Sequence, residues 1–556
     1  MRLLLFLLLP GALFAQGSAD WAYGFGLDIY HVDTDPLGHI FATGAFSGKT
    51  DFDPSADTFW LQGNPAPPST FLARFGPDGS FNWAIPTPLR AGDAQPNTLP
   101  DCSAAPDGSV FVASCAFTVT PGFEVARLLK YASDGWLVWQ IDLKGTYSAG
   151  IHKVLACPDG GAVILATFRG AIDVDPSPFE KILTEAGADN LFVARYSDAG
   201  ALLWVKQFEQ VREGTGLVMD AAGHIWLSAN FYGKARLDPG GQNLALASAG
   251  SSDAFVARLT AKGVIETLVR LTGPSTITTQ GVAIDKTGAA LITGRYNGSF
   301  VTVPAQAGTT LPASNGSYDV FLLKVDSTGQ PLWAKQFTGP GIEEGTAVTG
   351  SPDGSVFVTG TFSETTDFNP VPGAHVFRTS AGVYDQFIAH LAPDGAFLSV
   401  FTTGGAGSDR SFDLAATQEH LYFSGSIHST VSYTPGSAAG QVDNAVNNNL
   451  GVLVQFPLRP TFLNTLPGPR RNPDPMLLLS PNPALPGSTI HYANSGQLPQ
   501  VAGVEFWEVH ANRFARSVLL PQQAISAPEQ PGLYVVRFLD VAGRFLSAGK
   551  LVVLAH

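Results

Sequence analysis

Pro331-Leu332-Trp333-Ala334-Lys335-Gln336-Phe337 repeats Leu202-Leu203-Trp204-Val205-Lys206-Gln207-Phe208 with only two exchanges. Both segments follow a glycine placed four residues before the tryptophan. The same Gly-x-x-x-Trp slot recurs at Trp21, Trp83, Trp139, Trp204, Thr267, Trp333 and Ser399, at intervals of 62, 56, 65, 63, 66 and 66 residues. Five of the seven slots hold Trp, so the slot marks a position that the repeating unit uses for packing.

Other slots keep the same phase. Apolar runs ending in an aromatic appear as Phe41-Ala42-Thr43-Gly44-Ala45-Phe46, Ile164-Leu165-Ala166-Thr167-Phe168 and Phe357-Val358-Thr359-Gly360-Thr361-Phe362. An Asp-rich turn ending in proline follows, as in Asp51-Phe52-Asp53-Pro54, Asp173-Val174-Asp175-Pro176 and Asp367-Phe368-Asn369-Pro370. Weaker copies end at Pro121, Pro239, Pro304 and Pro435. A third run, Phe192-Val193-Ala194-Arg195, is matched by Phe255-Val256-Ala257-Arg258 and Phe321-Leu322-Leu323-Lys324. Tight turns such as Pro352-Asp353-Gly354-Ser355 and Asp285-Lys286-Thr287-Gly288 separate the runs, with glycine supplying positive φ. Each unit thus predicts four short strands. No stretch sustains the 3.6-residue period of a helix.

Composition agrees. The 556 residues include 60 Gly, 40 Pro and 37 Phe, with 45% hydrophobic and only 14% charged residues, which describes a folded, turn-rich chain. Four-stranded units of this length suit β-propeller blades. The last unit ends at Gly451-Val452-Leu453-Val454-Gln455-Phe456-Pro457 without its own Gly-x-x-x-Trp strand. A spare one stands at the other end, Gly17-Ser18-Ala19-Asp20-Trp21. The N-terminal strand is therefore expected to complete the last blade and remove a free sheet edge.

The fold class expected is all-β: a seven-bladed β-propeller over residues 17–458 followed by a small C-terminal β-sandwich over 476–556. Residues 459–475, with Arg470-Arg471 among several prolines, form the linker between them. Residues 1–16 have the build of a signal peptide, with Arg2, the apolar run Leu3 to Leu9 and Ala15 as a small residue for cleavage. No other segment approaches the ~18 apolar residues of a membrane helix. The expected protein is secreted or held on the outer cell surface, monomeric, and without an integral membrane segment. Its net charge of −14 and lack of a basic run exclude a nucleic-acid partner.

Phe46-Ser47-Gly48, Asp51-Phe52-Asp53-Pro54, Phe71-Leu72-Ala73-Arg74 and Gly79-x-x-x-Trp83 together resemble the bacterial SBBP-type β-propeller repeat. The resemblance covers roughly residues 17–458, and the second, fifth and seventh units depart most from it. The final module resembles the C-terminal sorting domain of type IX secretion cargo. It carries Pro481-Asn482-Pro483, then Pro531-Gly532-Leu533-Tyr534, then Lys550-Leu551-Val552-Val553. Asn512-Arg513 stands where that family has Gly-Arg. The resemblance implies type IX secretion machinery as a partner, and release or surface attachment after export.

Chemistry-bearing groups are sparse. No Gly-x-Ser-x-Gly, His-Glu-x-x-His, phosphate loop or Cys-x-x-Cys is present, so no catalytic residue is assigned. Asp51, Asp53, Asp173 and Asp175 are paired carboxylates that could hold calcium, the one cofactor considered. The same aspartates could instead cap turns. Cys102 and Cys115 lie on two arms of one hairpin and could bridge or remain buried thiols; Cys157 stands apart. His390 fills a slot held elsewhere by Arg74, Lys130, Arg195, Arg258 and Lys324, and is read as a repeat variant. Trp60, Trp136 and Trp226 fall outside the Trp slot and are the surface candidates. Loops leading into the next unit carry Glu209, Glu213, Glu343, Glu344 and Asp409, expected as an acidic rim on a ligand face. The functional expectation is a non-catalytic propeller that binds an unidentified protein or glycan. The alternative is an extracellular polysaccharide-degrading enzyme on a propeller scaffold.

Overall fold

A computed structural model describes residues 19–64, 68–87, 99–117, 124–187, 190–303, 310–371, 373–434, 441–442, 444 and 449–458. Beyond these it describes the strands 478–480, 489–493, 503–508, 514–518, 524–526, 532–539 and 545–553. The leader, the linker, Pro481-Asn482-Pro483 and Pro531 lie outside the described residues, as do Pro121, Pro304 and Pro435. The chain divides into two compact units, residues 1–461 and 462–556.

The first unit is all-β, of propeller type. Five of its sheets are four-stranded and antiparallel. One runs Asp28–Thr34, Ile40–Phe46, Ser69–Phe75, Phe81–Pro86, in the order of the chain. Two further four-stranded sets are fused by one 18-residue strand, Leu202–Met219, which is outer strand to one set and inner strand to the next. The inner strands are Asp28–Thr34, Asp101–Ala104, Ser148–Ala156, the second half of Leu202–Met219, Ile277–Ile284, Glu343–Gly350 and Arg410–Ala416. Each neighbours the next, and Arg410–Ala416 returns to Asp28–Thr34, so the ring is closed.

The strand pattern follows from that arrangement. Ile40–Phe46 and Val356–Phe362 are buried at every residue because a neighbouring sheet covers each face. Their side chains join cores that span two sheets: Leu291, Val320 and Leu322 pack with Val348, Val358 and Phe387 of the following set. Outer strands such as Pro331–Phe337 are only half-buried. Six of the inner strands carry a β-bulge at one level, between Ile29/His31, Ile151/Lys153, Gly214/Gly216, Thr279/Gly281, Gly345/Ala347 and Ser411/Asp413. Nothing in the repeat pattern announces this bulge, since one extra residue leaves the apolar rhythm on either side intact.

The Trp slot staples neighbouring sheets. Four of the five indole N–H groups donate to a turn carbonyl of the following set: Trp83 to Ser133 (3.1 Å), Trp139 to Asp198 (2.9 Å), Trp204 to Ala261 (2.9 Å) and Trp333 to Pro393 (3.1 Å), whereas Trp21 packs on its turn without this bond. Thr267, at the same slot, donates its hydroxyl to Ser327 (3.3 Å). The turn beneath Trp204 must be glycine twice over. Gly263 has φ +78°, and a Cβ there would lie 2.8 Å from the Trp204 ring.

The N-terminal strand Trp21–Gly24 pairs antiparallel with Leu450–Pro457, from Trp21 opposite Gln455 to Gly24 opposite Val452. Trp21 then lies over Gly79 of the first set, where a Cβ would come within 2.6 Å of its indole nitrogen. Trp226 departs from the surface expectation. It is fully buried in the core beneath Arg258, because an apolar residue leading the second strand of a set faces the next sheet. Trp60 and Trp136 are exposed.

The second unit has two antiparallel sheets: Leu478–Ser480, Thr489–Ala493, Ala524–Ser526, and Phe514–Val518, Gly503–Glu508, Gly532–Leu539, Phe545–Val553. In the second, Tyr534 stands opposite Leu551 and Leu533 opposite Val552.

Deleting residues 17–26 removes a whole strand and one staple, and is expected to collapse the thermal transition seen by calorimetry. An unchanged melting temperature would contradict closure by this strand. Trp204→Ala should cost about 2 kcal/mol in urea unfolding, from lost packing and one hydrogen bond.

Candidate functional site

The first position past the bulge, and in the unbulged strand its first residue Asp101, lies opposite equivalent residues in every set, and it is occupied unevenly. Reading around the ring from the last inner strand it is Asp413, His31, Asp101 and Lys153, then Gly216, Gly281 and Ala347. One arc is charged and the other has almost no side chains.

The charged arc is a chain of alternating sign. His31 Nδ1 lies 2.5 Å from Asp413 Oδ2 and 3.2 Å from Asp101 Oδ1, and Lys153 Nζ lies 3.1 Å from Asp101 Oδ1. The carboxylates also do backbone work. An inner strand ends its sheet, so its outward N–H groups have no ladder partner. Asp413 accepts from Val32 N (3.2 Å), Asp101 from Val154 N (2.8 Å) and Asp33 from Ala104 N (2.9 Å), each on the next inner strand. On the other arc the next strand comes close instead: a Cβ on Gly216 would lie 2.9 Å from Val282 N.

These contacts set the protonation of the arc. Burial alone would lower the His31 pKa, but the Asp101 and Asp413 carboxylates outweigh it and hold it up at about 9. Lys153 is likewise held above its ordinary value by the two carboxylates, against burial. Burial pushes the Asp33 carboxyl up. His152, bonded to the Thr167 hydroxyl (2.7 Å), is lowered to about 4 by burial and then by Lys153. Tyr30 meets Phe412 edge-on at 5.2 Å, one residue before the arc.

A second set of acids escaped the sequence reading. The third strand of four sets opens on Asn190, Asp253, Asp319 or Asp385, all buried, two residues before the repeated Phe. That spacing is legible in the sequence. Each accepts the backbone N–H four residues upstream: from Ala186 (3.1 Å), Ala249 (3.0 Å), Asn315 (3.2 Å) and Ala381 (2.8 Å) respectively. Burial raises the Asp319 pKa to about 6. Burial and then Asp319 raise that of Glu343 to about 8.

The residues singled out in the sequence are dispersed. Asp51 and Asp173 sit on small outer hairpins and cap them. Asp51 Oδ1 accepts from Asp53 N (3.1 Å) and Phe59 N (2.8 Å), and Asp173 Oδ1 from Asp175 N (3.1 Å) and Lys181 N (2.9 Å). Asp53 and Asp175 accept from Ser55 N and Ser177 N, both at 2.9 Å. Among the described residues, no three His, Cys, Asp or Glu side chains gather in a way that could hold a metal ion. Glu213 is exposed; Glu209 lies 3.7 Å from Arg236, and Glu344 lies 3.4 Å from Arg295. Glu343 and Asp409 are not on a rim but fully buried, because they open the inner strands where these pass beneath the preceding sheet. Asp409 accepts from Gly405 N and His428 N, both at 2.7 Å. His390 stacks on Phe357 at 4.3 Å. Cys102 and Cys157 are free and buried; the Cys115 side chain lies outside the described residues.

No protein-family description and no curated protein matches the chain. Similar solved structures include a fungal alcohol oxidase of the AA5 family in complex with copper, at 12% identity and TM-score 0.37, covering 97% of this chain and 100% of that one. Another is PorZ, described as an essential surface component of the type IX secretion system of Porphyromonas gingivalis, at 11% identity and TM-score 0.20, covering 95% and 87%. A third is YCF48 bound to D1 peptide, at 10% identity and TM-score 0.28, covering 81% and 99%. Likenesses this slight carry no role over to the chain. No helix among the described residues is long and apolar enough to cross a membrane.

Because His31 titrates higher folded, at about 9, than the roughly 6.5 of a free imidazole, its ion pairs stabilise fully below about pH 6.5. That contribution, up to about 3 kcal/mol, is lost as pH climbs through 9. Denaturation midpoints measured in steps across this window should fall more for the wild type than for His31→Gln. Parallel curves would contradict the pairing.

Proposed function

We propose that the first unit is a seven-bladed β-propeller, exported by a type IX-like route, that acts outside the cell as a non-catalytic binder of a protein or glycan. The export reading is supported by one arrangement in the second unit. The strand holding Gly532 and Tyr534 pairs directly with the strand holding Lys550, Leu551, Val552 and Val553, with Val535 opposite Lys550. The two segments that carry the sorting motifs thus lie on one hairpin. The binding reading is supported by the use of the charged arc: its carboxylates are spent on ion pairs and on the N–H groups of neighbouring strands. Partner contacts then fall to the leading ends of the inner strands, where Arg212, Glu213 and Arg410 are exposed.

Truncation after Pro475 should leave the protein in the periplasm in a cell that has the secretion machinery, as read by fractionation and surface proteolysis. Normal surface arrival of the truncated chain would refute the sorting role. A glycan array and a pull-down with the purified propeller, run beside Arg410→Glu, should show a ligand whose capture weakens in the variant.

A further inference from the structure

Two of the buried acids meet at one junction between sheets. Tyr318 and Ile342 form a parallel bridge, and Glu343 N donates to Tyr318 O at 2.9 Å, so Asp319 and Glu343 follow each other side by side. Both are 0% exposed. Each carboxylate has one oxygen satisfied: Asp319 Oδ2 accepts from Asn315 N (3.2 Å), and Glu343 Oε1 accepts from the Thr366 hydroxyl (3.1 Å). Asp319 Oδ1, Glu343 Oε2 and Thr338 Oγ1 are buried without a hydrogen bond of good geometry, although the Thr338 hydroxyl approaches Asp319 and the Gly339 N–H approaches both acids.

Two buried carboxyls side by side cannot both be charged without a partner: either one keeps its proton or a cation takes its place. Among the described residues no cation pairs with either acid; Arg295 is engaged by Glu344 and Lys324 by Asp285. Gly339 packs closely against them. A Cβ on Gly339 would lie 2.9 Å from Glu343 Oε1 and equally 2.9 Å from the Thr365 carbonyl, a further oxygen close by.

The equivalent junctions are different. Asp253 follows the same path beside Ile277, an apolar residue, and Asp385 lies beside Asp409, whose two oxygens are already occupied by backbone N–H groups. Among the described residues, only the pair Asp319 and Glu343 presents an oxygen from each acid without a well-formed hydrogen bond.

We propose that this junction binds one hard, oxygen-ligated cation of the calcium class, held by Asp319, Glu343 and the Thr338 hydroxyl. Calcium accepts this mixture of carboxylate and neutral oxygens. The cation would neutralise two charges that neither solvent nor a basic side chain reaches, and would lock two neighbouring sheets together. The site is distinct from the outer Asp turns and independent of any export route or extracellular partner.

The test uses the full secreted chain, stripped with chelator and titrated with calcium chloride by calorimetry. Terbium luminescence excited through tyrosine serves as a second readout, since Tyr318 and Tyr296 are close. One calcium per chain and a melting temperature raised by several degrees are expected. Glu343→Gln and Asp319→Asn should each weaken binding at least tenfold, while Asp53→Asn on the outer turn should leave it unchanged. Absence of binding by the wild type, or binding that survives both junction variants, overturns the proposal. So does a wild type indifferent to calcium whose Glu343→Gln variant melts higher at pH 8, because the pair would then hold a proton.

Discussion

A four-stranded antiparallel sheet has two open edges and two faces to cover, and this chain answers all four needs by leaning each sheet on the next. The contact that makes this work is the outer-strand tryptophan seated on a glycine turn of its neighbour. It covers apolar surface, spends its N–H on a turn carbonyl, and fixes where the neighbouring sheet must stand. A contact made only between neighbours has no natural end. It becomes a closed object because the last set borrows Trp21–Gly24 from the other end of the unit, and Trp21 then seats on Gly79 of the first set.

Aspartate does three separate jobs in this frame. On the outer hairpins, Asp51, Asp173 and Asp367 each gather two N–H groups and hold a turn. At the start of third strands, Asp253, Asp319 and Asp385 pin the loop four residues upstream. On the inner edge, Asp33, Asp101 and Asp413 cap the N–H groups of the next strand. Each job answers the same constraint, an unpaired backbone donor away from water. The third strings its charges into a chain of alternating sign, in which His31 and Lys153 supply the positive members.

The repeat was plainly legible. Strand number per unit, the tight glycine turns and the Trp slot all depend on local chemistry that recurs at a fixed period, so one sequence contains several copies to compare. The Asx two residues before Phe192, Phe255, Phe321 and Phe387 was equally readable and was missed, because hydrophobic runs draw attention away from the polar residue that opens them. Trp226, Glu343 and Asp409 were misplaced for a different reason. Their exposure depends on what the neighbouring sheet covers, and a repeat pattern carries no term for that. The inner-strand bulges left no mark, since a bulge shifts facing without changing residue type.

What the sequence determined by itself is therefore the unit: four short strands, its turns, its copies, and the presence of a differently patterned module after it. Period, glycine placement and alternation are properties of neighbours along the chain. Which charges meet is a matter of ring closure. Asp413 and His31 are 382 residues apart in the chain yet lie 2.5 Å apart. Asp101 joins them from another sheet, and Asp319 reaches Glu343 across a sheet boundary. Such contacts exist because closure brings distant strands to one axis, and no local pattern encodes that meeting.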